Sequence, residues 1–384
     1  MIIYKLSDNI ISSLGFSSQE NYRAVKNQES GLHLQENTFG LPEPFVASLI
    51  DDDKLNEAFF ALPSSDKMRY TKLEKAAILA VYGAFADTGL HPSDSSILFV
   101  FATTKGNIEL LDKSEDYESE RIYLWRSAQV ISRFFDNGNE PLIISNACIS
   151  GVAAQITAAR SLTAGRCKYV VVTGMDMLSR FIVSGFQSLK ALSSCRCRPF
   201  DKHRTGLNLG EAAASILYAT VDSQEKLPQH AIVYENGALC NDANHISGPS
   251  RTGEGLFSAV SKTMYGIDKE DISFVNAHGT ATPYNDDMEA IAIERSNLNT
   301  TPVNSLKAYF GHTLGAAGVL ETIISAHALE EGLVLPSLGF EELGVAAPLR
   351  VNTVLRQSDK NRFLKLISGF GGGNAALILR KHNT

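Results

Sequence analysis

The sequence predicts an α/β fold built around a largely parallel sheet. Two observations favour this class: short continuous apolar runs, and intervening stretches whose apolar residues recur at helical spacing. Residues 97–102 are a run of the first kind, typical of a strand buried on both faces, and a second buried strand is predicted at 142–145. Strands that alternate with helices indicate parallel pairing. Because no Gly-, Ser- or Pro-rich linker of domain-separating length interrupts the pattern, both halves are expected to form one body.

Capping boxes mark two helix starts in the first quarter of the chain. Ser17-Ser-Gln-Glu20 opens a short helix that ends before Gly31. Thr71-Lys-Leu-Glu74 opens a strongly apolar helix, for which Gly89 supplies the C-terminal stop. The other predicted elements are a strand at 97–102, a helix that follows the charged stretch 113–121 and runs to about Phe135, a strand at 142–145, and final strands at 363–368 and 375–379.

One strand–loop–helix pattern occurs twice. The strand at 142–145 is followed by Asn146, a turn and a small-residue helix at 151–159. Pro302-Val303 is followed by Asn304, a turn and a second small-residue helix at 315–321. The repeat predicts a duplicated architecture whose loops converge. Small residues are also common wherever helices pack closely, so the pattern alone leaves both explanations open.

Composition excludes several classes of protein. Of 384 residues, 44% are hydrophobic and 20% are charged, enough apolar material for a large core and too much for a disordered chain. The 35 Lys and Arg against 42 Asp and Glu give a net charge of −7, which argues against non-specific binding to nucleic acid or anionic membranes. Five cysteines do not make a disulfide framework. With no signal-like N-terminus and no long apolar run, we expect a cytoplasmic protein without a membrane span.

Cys148 is the candidate nucleophile. It lies in Asn146-Ala-Cys-Ile-Ser-Gly151, between a predicted strand and a small-residue helix. Backbone N–H groups and the positive helix end are expected to lower the pKa of a thiol there, and a sharp turn would expose it. The alternative is a buried structural cysteine, the commoner fate of an isolated Cys.

Two histidines and a lysine lie in loops of the second half. His278 belongs to Val275-Asn-Ala-His-Gly-Thr-Ala-Thr-Pro283, directly after a predicted strand. Lys307-Ala-Tyr-Phe-Gly-His312 places a second histidine at a helix N-terminus, where the dipole favours the neutral imidazole. Lys307 could orient groups or supply positive charge. Taken singly, either histidine is more often structural, and a lysine is usually a solvated surface residue.

A glycine-dense loop, Ser368-Gly-Phe-Gly-Gly-Gly-Asn374, follows another predicted strand. Such a loop lets backbone amides approach a ligand closely, although a tight turn explains it equally well. None of these motifs is a P-loop or a dinucleotide fingerprint.

In this order, the four motifs strongly resemble those of the elongating β-ketoacyl-acyl-carrier-protein synthases of the thiolase superfamily. The likeness runs from Ile11-Ser-Ser-Leu-Gly15 to the last strand. It implies a thiolase fold with five α-β-α-β-α layers and two similar halves. Residues 1–220 would carry the nucleophile and residues 221–384 both histidines. Further segments that carry the likeness are Arg198-Pro-Phe-Asp201, Gly206-Leu-Asn-Leu-Gly-Glu211 and Asp242-Ala-Asn-His245.

The resemblance implies a decarboxylative Claisen condensation. Cys148 would hold the acyl group, and the enolate formed from malonyl-carrier protein would attack it. His278 and His312, both neutral with Nε2–H towards the substrate, would stabilise the enolate oxygen. The resemblance also implies that the amides of Cys148 and Phe370 form an oxyanion hole and that Phe370 acts as a gate. Lys307 would set the environment of the second histidine, and Glu321 would be a structural or ion-coordinating acid. The implied substrate-binding residues are Thr280, Thr282, Gly371 and Gly372.

Departures from the family pattern indicate a specialised pathway, such as aryl-polyene, polyketide or unusual-lipid synthesis. The nucleophile turn Asn146-Ala-Cys-Ile-Ser replaces the common Thr-Ala-Cys-Ala-Thr. Gly373 replaces a threonine, and Ala102-Thr-Thr-Lys-Gly106 replaces a Gly-Thr-Gly-rich turn near the acyl pocket.

The expected partners are an acyl-carrier protein and a second subunit, either identical or related. No cofactor is expected, because the acyl and malonyl thioesters are attached to the carrier's phosphopantetheine. No metal is expected either, because Cys195 and Cys197 lack a nearby Cys/His pair that would complete a metal site. An acidic carrier needs a basic patch, although solvated faces or internal salt bridges explain such clusters equally well. The two clusters are Arg196, Arg198, Lys202 and Arg204, and Lys67, Arg69, Lys72 and Lys75.

Two other functions fit these motifs less well. A non-catalytic chain-length partner of a ketosynthase is disfavoured because such partners typically lack the nucleophile. A thiolase using free coenzyme A is disfavoured because thiolases pair histidine with a second cysteine.

Overall fold

The computed structural model describes residues 1–63, 68–111, 117–222 and 227–382, so the predicted basic residue Lys67 lies outside the described residues. The strands are β1 (Ile2–Ser12), β2 (His33–Gln35), β3 (Phe45–Ser48), β4 (Ile97–Ala102), β5 (Leu142–Ile144), β6 (Tyr169–Asp176), β7 (Leu209–Gly210), β8 (Ala212–Val221), β9 (Ile232–Asn241), β10 (Ile272–Asn276), β11 (Val303–Asn304), β12 (Leu333–Val334), β13 (Arg356–Gln357), β14 (Arg362–Gly369) and β15 (Gly373–Lys381). The helices are α1 (Ser18–Lys26), α2 (Asp52–Phe60), α3 (Lys72–Phe85), α4 (Leu124–Phe134), α5 (Ser150–Thr163), α6 (Arg180–Ser188), α7 (Glu254–Thr263), α8 (Pro283–Arg295), α9 (Lys307–Phe310) and α10 (Ala317–Glu330).

The main sheet of the described chain repeats one five-strand pattern. Its order is β11-β10-β14-β15-β9-β1-β8-β6-β4-β5. In the first half, β1, β8 and β6 pair antiparallel, and β6, β4 and β5 pair parallel. In the second half, β9, β15 and β14 pair antiparallel, and β14, β10 and β11 pair parallel. The predicted α/β class and the two similar halves are therefore confirmed, whereas the boundary between residues 220 and 221 stays a prediction. The expectation of a largely parallel sheet is wrong: five of the nine strand pairings in this sheet are antiparallel and four are parallel, because the strands next to the junction of the halves pair antiparallel.

The helices and strands form the five α-β-α-β-α layers that the family resemblance implies. Helices α3 and α4 cover the outer face of the first half, and α7 and α8 cover that of the second. Between the halves lie α5 and α10, each of which contacts strands of both halves. The repeated strand–loop–helix pattern of the sequence corresponds to β5–α5 and β11–α10, at equivalent places in the two halves. No helix in the described ranges is both long and apolar enough to cross a membrane.

The predicted helix starts are correct where a side chain caps the first turn of its own helix. Both capping boxes form, at Ser17 with Glu20 and at Thr71 with Glu74. The second helix ends at Phe85, however, with Ala86 as its C-cap, so Gly89 is not its stop. The predicted strand at 142–145 exists as β5, but its residues are only half-buried because β5 is the last strand of the sheet.

The central helices α5 and α10 cross at glycines, which have no side chain. A Cβ on Gly318 would lie 2.6 Å from the backbone nitrogen of Val152, and one on Gly151 would lie 2.8 Å from the carbonyl oxygen of Gly315. Both contacts are with backbone, which cannot move aside as a flexible side chain can. Glycine therefore sets the distance between α5 and α10, and with it the distance between the loops that precede them.

We expect Gly318→Ala to destabilise the protein by about 1–3 kcal/mol, the usual cost of overpacking a close-packed core. Urea unfolding followed by circular dichroism measures this. Gly185→Ala is the matched control, because Gly185 also lies in a helix but has no atom within 4 Å of its added Cβ. The control should be about 0.4–1 kcal/mol more stable than the parent. Equal unfolding free energies for the two variants would contradict the crossing described here.

Candidate active site

A tight turn holds Cys148 between β5 and α5. Ala147 has φ 44°, a left-handed conformation that is strained for a residue with a Cβ. The Ser150 hydroxyl accepts a hydrogen bond from the Asn146 N–H at 2.8 Å and donates one to the Ala147 carbonyl at 2.6 Å. This serine, one of the departures from the family pattern, therefore stabilises the strained turn. The predicted sharp turn is present, but it leaves Cys148 only 8% exposed.

The predicted lowering of the Cys148 pKa is wrong for the protein without substrate. Burial raises the pKa of the Cys148 thiol to about 11, because a thiolate there loses its hydration. Positive charge on Lys105 and Lys307 and the N–H of Phe370 oppose the rise without cancelling it. The Phe370 amide is thus directed at the sulfur, and the oxyanion hole formed by the amides of Cys148 and Phe370 stays a prediction.

Two carboxylates of α8 hold the loop that carries His278. Glu289 accepts the N–H groups of His278 at 2.6 Å and of Gly279 at 2.8 Å. Asp286 accepts those of Thr280 at 3.0 Å and of Ala281 at 3.2 Å. The sequence pointed to the loop but missed these acids, whose spacing on a helix directly after Pro283 was an available signal.

His312 does not lie at a helix N-terminus as predicted. Helix α10 begins only at Ala317, after a 3₁₀ turn at Leu314–Ala316. Instead, the His312 N–H donates to the Asn208 carbonyl at 2.7 Å, and the Gly210 N–H donates to the His312 carbonyl at 3.1 Å. Residues 206–211, which belong to the family resemblance, therefore position this histidine.

The structure brings the three predicted side chains together. Nε2 of His312 lies 3.0 Å from Sγ of Cys148. The rings of His278 and His312 meet edge to face with centroids 5.0 Å apart. One nitrogen of each histidine and the sulfur all lie within 4.8 Å of one another. Nδ1 of each ring has no hydrogen-bond partner among the described residues. The Nε2–H tautomer is therefore favoured, because it leaves a lone pair unpaired rather than a buried N–H.

Both imidazoles are held neutral. Burial lowers the pKa of His278 well below its usual value, and Lys307, His312 and Lys365 lower it further. Burial likewise lowers the pKa of His312, with Lys307, Lys105 and Lys365 adding to the effect. The neutral form is the one expected from sequence, but its cause is burial and lysine charge rather than a helix dipole.

Lys307 and Glu321 belong to a buried cluster of charged side chains. Lys307 is fully buried and forms an ion pair with Glu321, which also lies 2.7 Å from Nζ of Lys365. Burial opposes ionisation of Glu321, but the two lysines outweigh it and hold the pKa of this carboxyl below its usual value. The sequence did not single out Lys365. A lysine within the apolar stretch Phe363-Leu-Lys-Leu-Ile367 was the available signal, since charge in a doubly buried strand requires a partner.

The turn after β4 brings a third lysine to the site. Thr103 and Thr104 donate to Asp176, which is fully buried and also accepts the Gly315 N–H at 2.7 Å. Lys105 follows on this turn and donates to the Thr104 hydroxyl at 3.2 Å. Within the described ranges no carboxylate forms a salt bridge with it. Its charge is therefore free to act on Cys148 and His312.

A cavity of about 490 Å³ leads to the three side chains. Thr280 and Thr282, whose hydroxyls lie 2.9 Å apart, contribute to its wall, as does Gly372. Phe370 lines it and stacks on Phe186 with centroids 6.0 Å apart. Gly371 does not line the cavity; its N–H donates to the Ile246 carbonyl at 2.7 Å.

Metal binding at the Cys–His–His group is opposed electrostatically. The spacing of the three ligand atoms would admit a thiophilic ion, but Lys105, Lys307 and Lys365 already place positive charge around them. Cys195 and Cys197 belong to no metal-ligating group found in the described part of the chain.

Internal ion pairs occupy three residues of the first predicted basic cluster and Lys72 of the second. In the first, Lys202 pairs with Glu342 at 2.9 Å and Arg198 with Glu341 at 3.3 Å, while Arg204 is largely buried against Asp287. In the second, Lys72 pairs with Asp52 and with Glu211, both at 2.7 Å. Whether either cluster docks a carrier protein stays a prediction.

Comparison with known proteins places this site in a family. Residues 16–222 match the description "Beta-ketoacyl synthase, N-terminal domain", and residues 230–341 match "Beta-ketoacyl synthase, C-terminal domain". The 3-oxoacyl-[acyl-carrier-protein] synthase 2 of Rhizobium meliloti is 32% identical over 62% of this chain and 60% of its own length. The tetracenomycin polyketide synthase ketoacyl synthase alpha subunit of Streptomyces glaucescens is 28% identical over 88% of this chain and 86% of its own.

Among solved structures, the ketosynthase ApeO in complex with its chain length factor ApeC, from Xenorhabdus doucetiae, superposes with a TM-score of 0.84. The superposition covers 99% of this chain and 98% of the other, at 24% identity, so this likeness concerns the fold. The fold is accordingly the thiolase fold. Because the two matched regions together span most of the sequence, the chain belongs to the β-ketoacyl synthase family.

Proposed function

We propose that this protein is a β-ketoacyl-acyl-carrier-protein synthase that condenses malonyl-carrier protein with an acyl group held on Cys148. The observation that carries the proposal is the 3.0 Å approach of His312 Nε2 to the Cys148 sulfur, with His278 beside both, in the wall of one cavity. A thiol and two neutral imidazoles are the groups needed for acyl transfer followed by enolate stabilisation.

The first half-reaction moves the acyl group to the enzyme. The Cys148 sulfur attacks the thioester carbonyl, and the pantetheine thiol departs with the proton that Cys148 gives up. His312 Nε2–H donates to the sulfur and stabilises the thiolate against the cost of burial, aided by Lys105 and Lys307. The amides of Cys148 and Phe370 receive the developing oxyanion.

The second half-reaction makes the carbon–carbon bond. Malonyl thioester binds along the wall formed by Thr280 and Thr282, loses CO₂, and leaves an enolate whose oxygen accepts hydrogen bonds from His278 and His312. The enolate carbon attacks the acyl carbonyl, the C–S bond to Cys148 breaks, and the thiolate is regenerated. No cofactor takes part in either half-reaction.

The proposed partners are an acyl-carrier protein and a second subunit. The edge strand β5 is half-exposed, and Tyr123 and Trp125 are exposed at the start of α4, the helix that packs against β5. A free strand edge and exposed aromatic side chains are suited to contact with a second copy of this chain or a related subunit. The relatives named for acyl-carrier protein, polyketide synthase and chain length factor support both partners. The altered nucleophile turn and the Lys105 turn support a specialised polyketide or aryl-polyene-type pathway.

We expect Cys148→Ala to abolish condensation, because the substitution removes the sulfur that holds the acyl chain in the proposed reaction. Cys148→Gln, whose side chain mimics the acylated state, should retain malonyl decarboxylation without condensation. Intact-mass spectrometry after incubation with acyl-carrier protein should show an adduct on the parent protein and none on Cys148→Ala. Cys167→Ala is the control, since Cys167 lies beyond the far end of α5. Full condensation by Cys148→Ala would refute the proposal.

The same experiment decides the alternative of a non-catalytic chain-length partner. Such a subunit would show no acyl adduct on Cys148 when incubated with acyl-carrier protein. The short distance between Cys148 and His312 favours the catalytic role.

Lys105→Met should slow the reaction of Cys148 with iodoacetamide at pH 8 by about 3–10-fold. The substitution removes a positive charge that lowers the pKa of the buried thiol, so the thiolate fraction falls at any pH below that pKa. Lys168→Met, at an exposed lysine outside the site, should leave the rate unchanged. An unchanged rate in Lys105→Met would show that its charge does not act on the sulfur.

A further inference from the structure

Lys365 lies in the middle of β14, a buried strand in which a charged side chain is unexpected. Its register partners are Asn276 of β10 and Leu377 of β15, so it lies inside the sheet. Phe363 and Ile367, which share its face of the strand, pack in the same apolar cluster as the residues of α10. The Lys365 side chain has no exposed area. It therefore enters the central layer between the two halves.

The ammonium group has two partners there. Nζ lies 2.7 Å from Oε2 of Glu321 and donates a hydrogen bond to the Leu366 carbonyl at 2.8 Å. Oε1 of Glu321 pairs with Lys307, so one carboxylate serves two buried lysines. A single Lys307–Glu321 pair would be neutral, whereas the three groups carry a net positive charge when both lysines are protonated. Burial lowers the pKa of Lys365, and the neighbouring Glu321 opposes that fall. Such a charge is costly in a buried place, which argues that the second lysine has a function.

We propose that Lys365 is a positioning residue for the condensation: it holds Glu321 against Lys307 and supplies the excess positive charge that keeps His278 and His312 uncharged. The inference rests on the proposed function, because only an enolate-stabilising pair of imidazoles needs that charge state. It concerns a residue that never touches substrate and acts only through the histidines.

The charges around the two rings support this assignment. His278 and His312 both have a lowered pKa, with burial as the first cause and Lys307 and Lys365 as contributors in each case. Removal of one lysine charge leaves burial and Lys307 in place, so the imidazole pKa values should rise but only partly. The titratable groups that face the cluster are Lys307 of α9, Glu321 of α10, Glu289 and Asp286 of α8, Asp176 of β6 and Lys105 of the turn after β4.

The test compares Lys365→Met, which removes the charge, with Lys365→Arg, which keeps it. In Lys365→Met the pKa of at least one site histidine should rise by about one unit, and the acidic limb of the decarboxylation rate profile should move to higher pH by the same amount. Histidine Cε1 NMR signals of ¹³C-labelled protein, assigned with His278→Asn and His312→Asn, report the titration directly. Lys365→Arg should titrate like the parent.

Lys5→Met is the matched control. Lys5 is also a buried lysine held by carboxylates, with Nζ 3.0 Å from Glu330, but it lies on β1 away from the site. Its loss should lower stability without moving either site histidine. If Lys365→Met does not fold, Lys365→Gln, which keeps a hydrogen-bond donor without the charge, takes its place in the same comparison.

The outcomes separate this inference from the proposed function. Unchanged titration in Lys365→Met, or equal shifts in Lys365→Met and Lys365→Arg, would overturn the role of Lys365. A parent protein that shows neither acylation nor decarboxylation would overturn the proposed function, and the NMR titration would still decide whether Lys365 sets the charge of the imidazoles.

Discussion

The arrangement of the candidate active site depends on the hydrogen-bond contact between the Cys148 sulfur and Nε2 of His312. The two residues are far apart in sequence and belong to different halves, yet the atoms lie 3.0 Å apart and both side chains are buried. Burial at this point raises the pKa of the thiol and lowers that of the imidazole, so both groups are neutral in the resting protein. Lys105, Lys307 and the Phe370 amide oppose the rise of the thiol pKa without cancelling it.

The duplicated fold explains how two distant loops come to meet. Strands β5 and β11 occupy equivalent places in the two halves, and each leads through a loop to a central helix. Because α5 and α10 cross at Gly151 and Gly318, the loops before them are drawn to the same side of the molecule. Each segment that carries a site side chain also contains a strained residue, since Ala147, Ala281 and Leu314 have positive φ angles.

Charge is distributed unusually in the interior. Glu321 is bracketed by Lys307 and Lys365, while Lys105 lacks a carboxylate partner among the described residues. The protein as a whole is acidic, with a net charge of −7, but its reactive centre is surrounded by cations. This contrast favours an anionic group beside two histidines that burial and the lysines keep uncharged.

The sequence alone determined the α/β class, the repeated strand–loop–helix units, the two capping boxes and the residues Cys148, His278, His312 and Lys307. These features are local: a capping box closes within one turn, and a motif keeps its spacing whatever surrounds it. The low thiol pKa expected for Cys148 failed because a helix end is a local feature, whereas burial depends on everything packed around the sulfur. Lys365 and Asp176 went unnoticed because their partners lie in other elements. Tertiary structure alone decided these points, since desolvation and ion pairing arise between segments that no sequence window contains together.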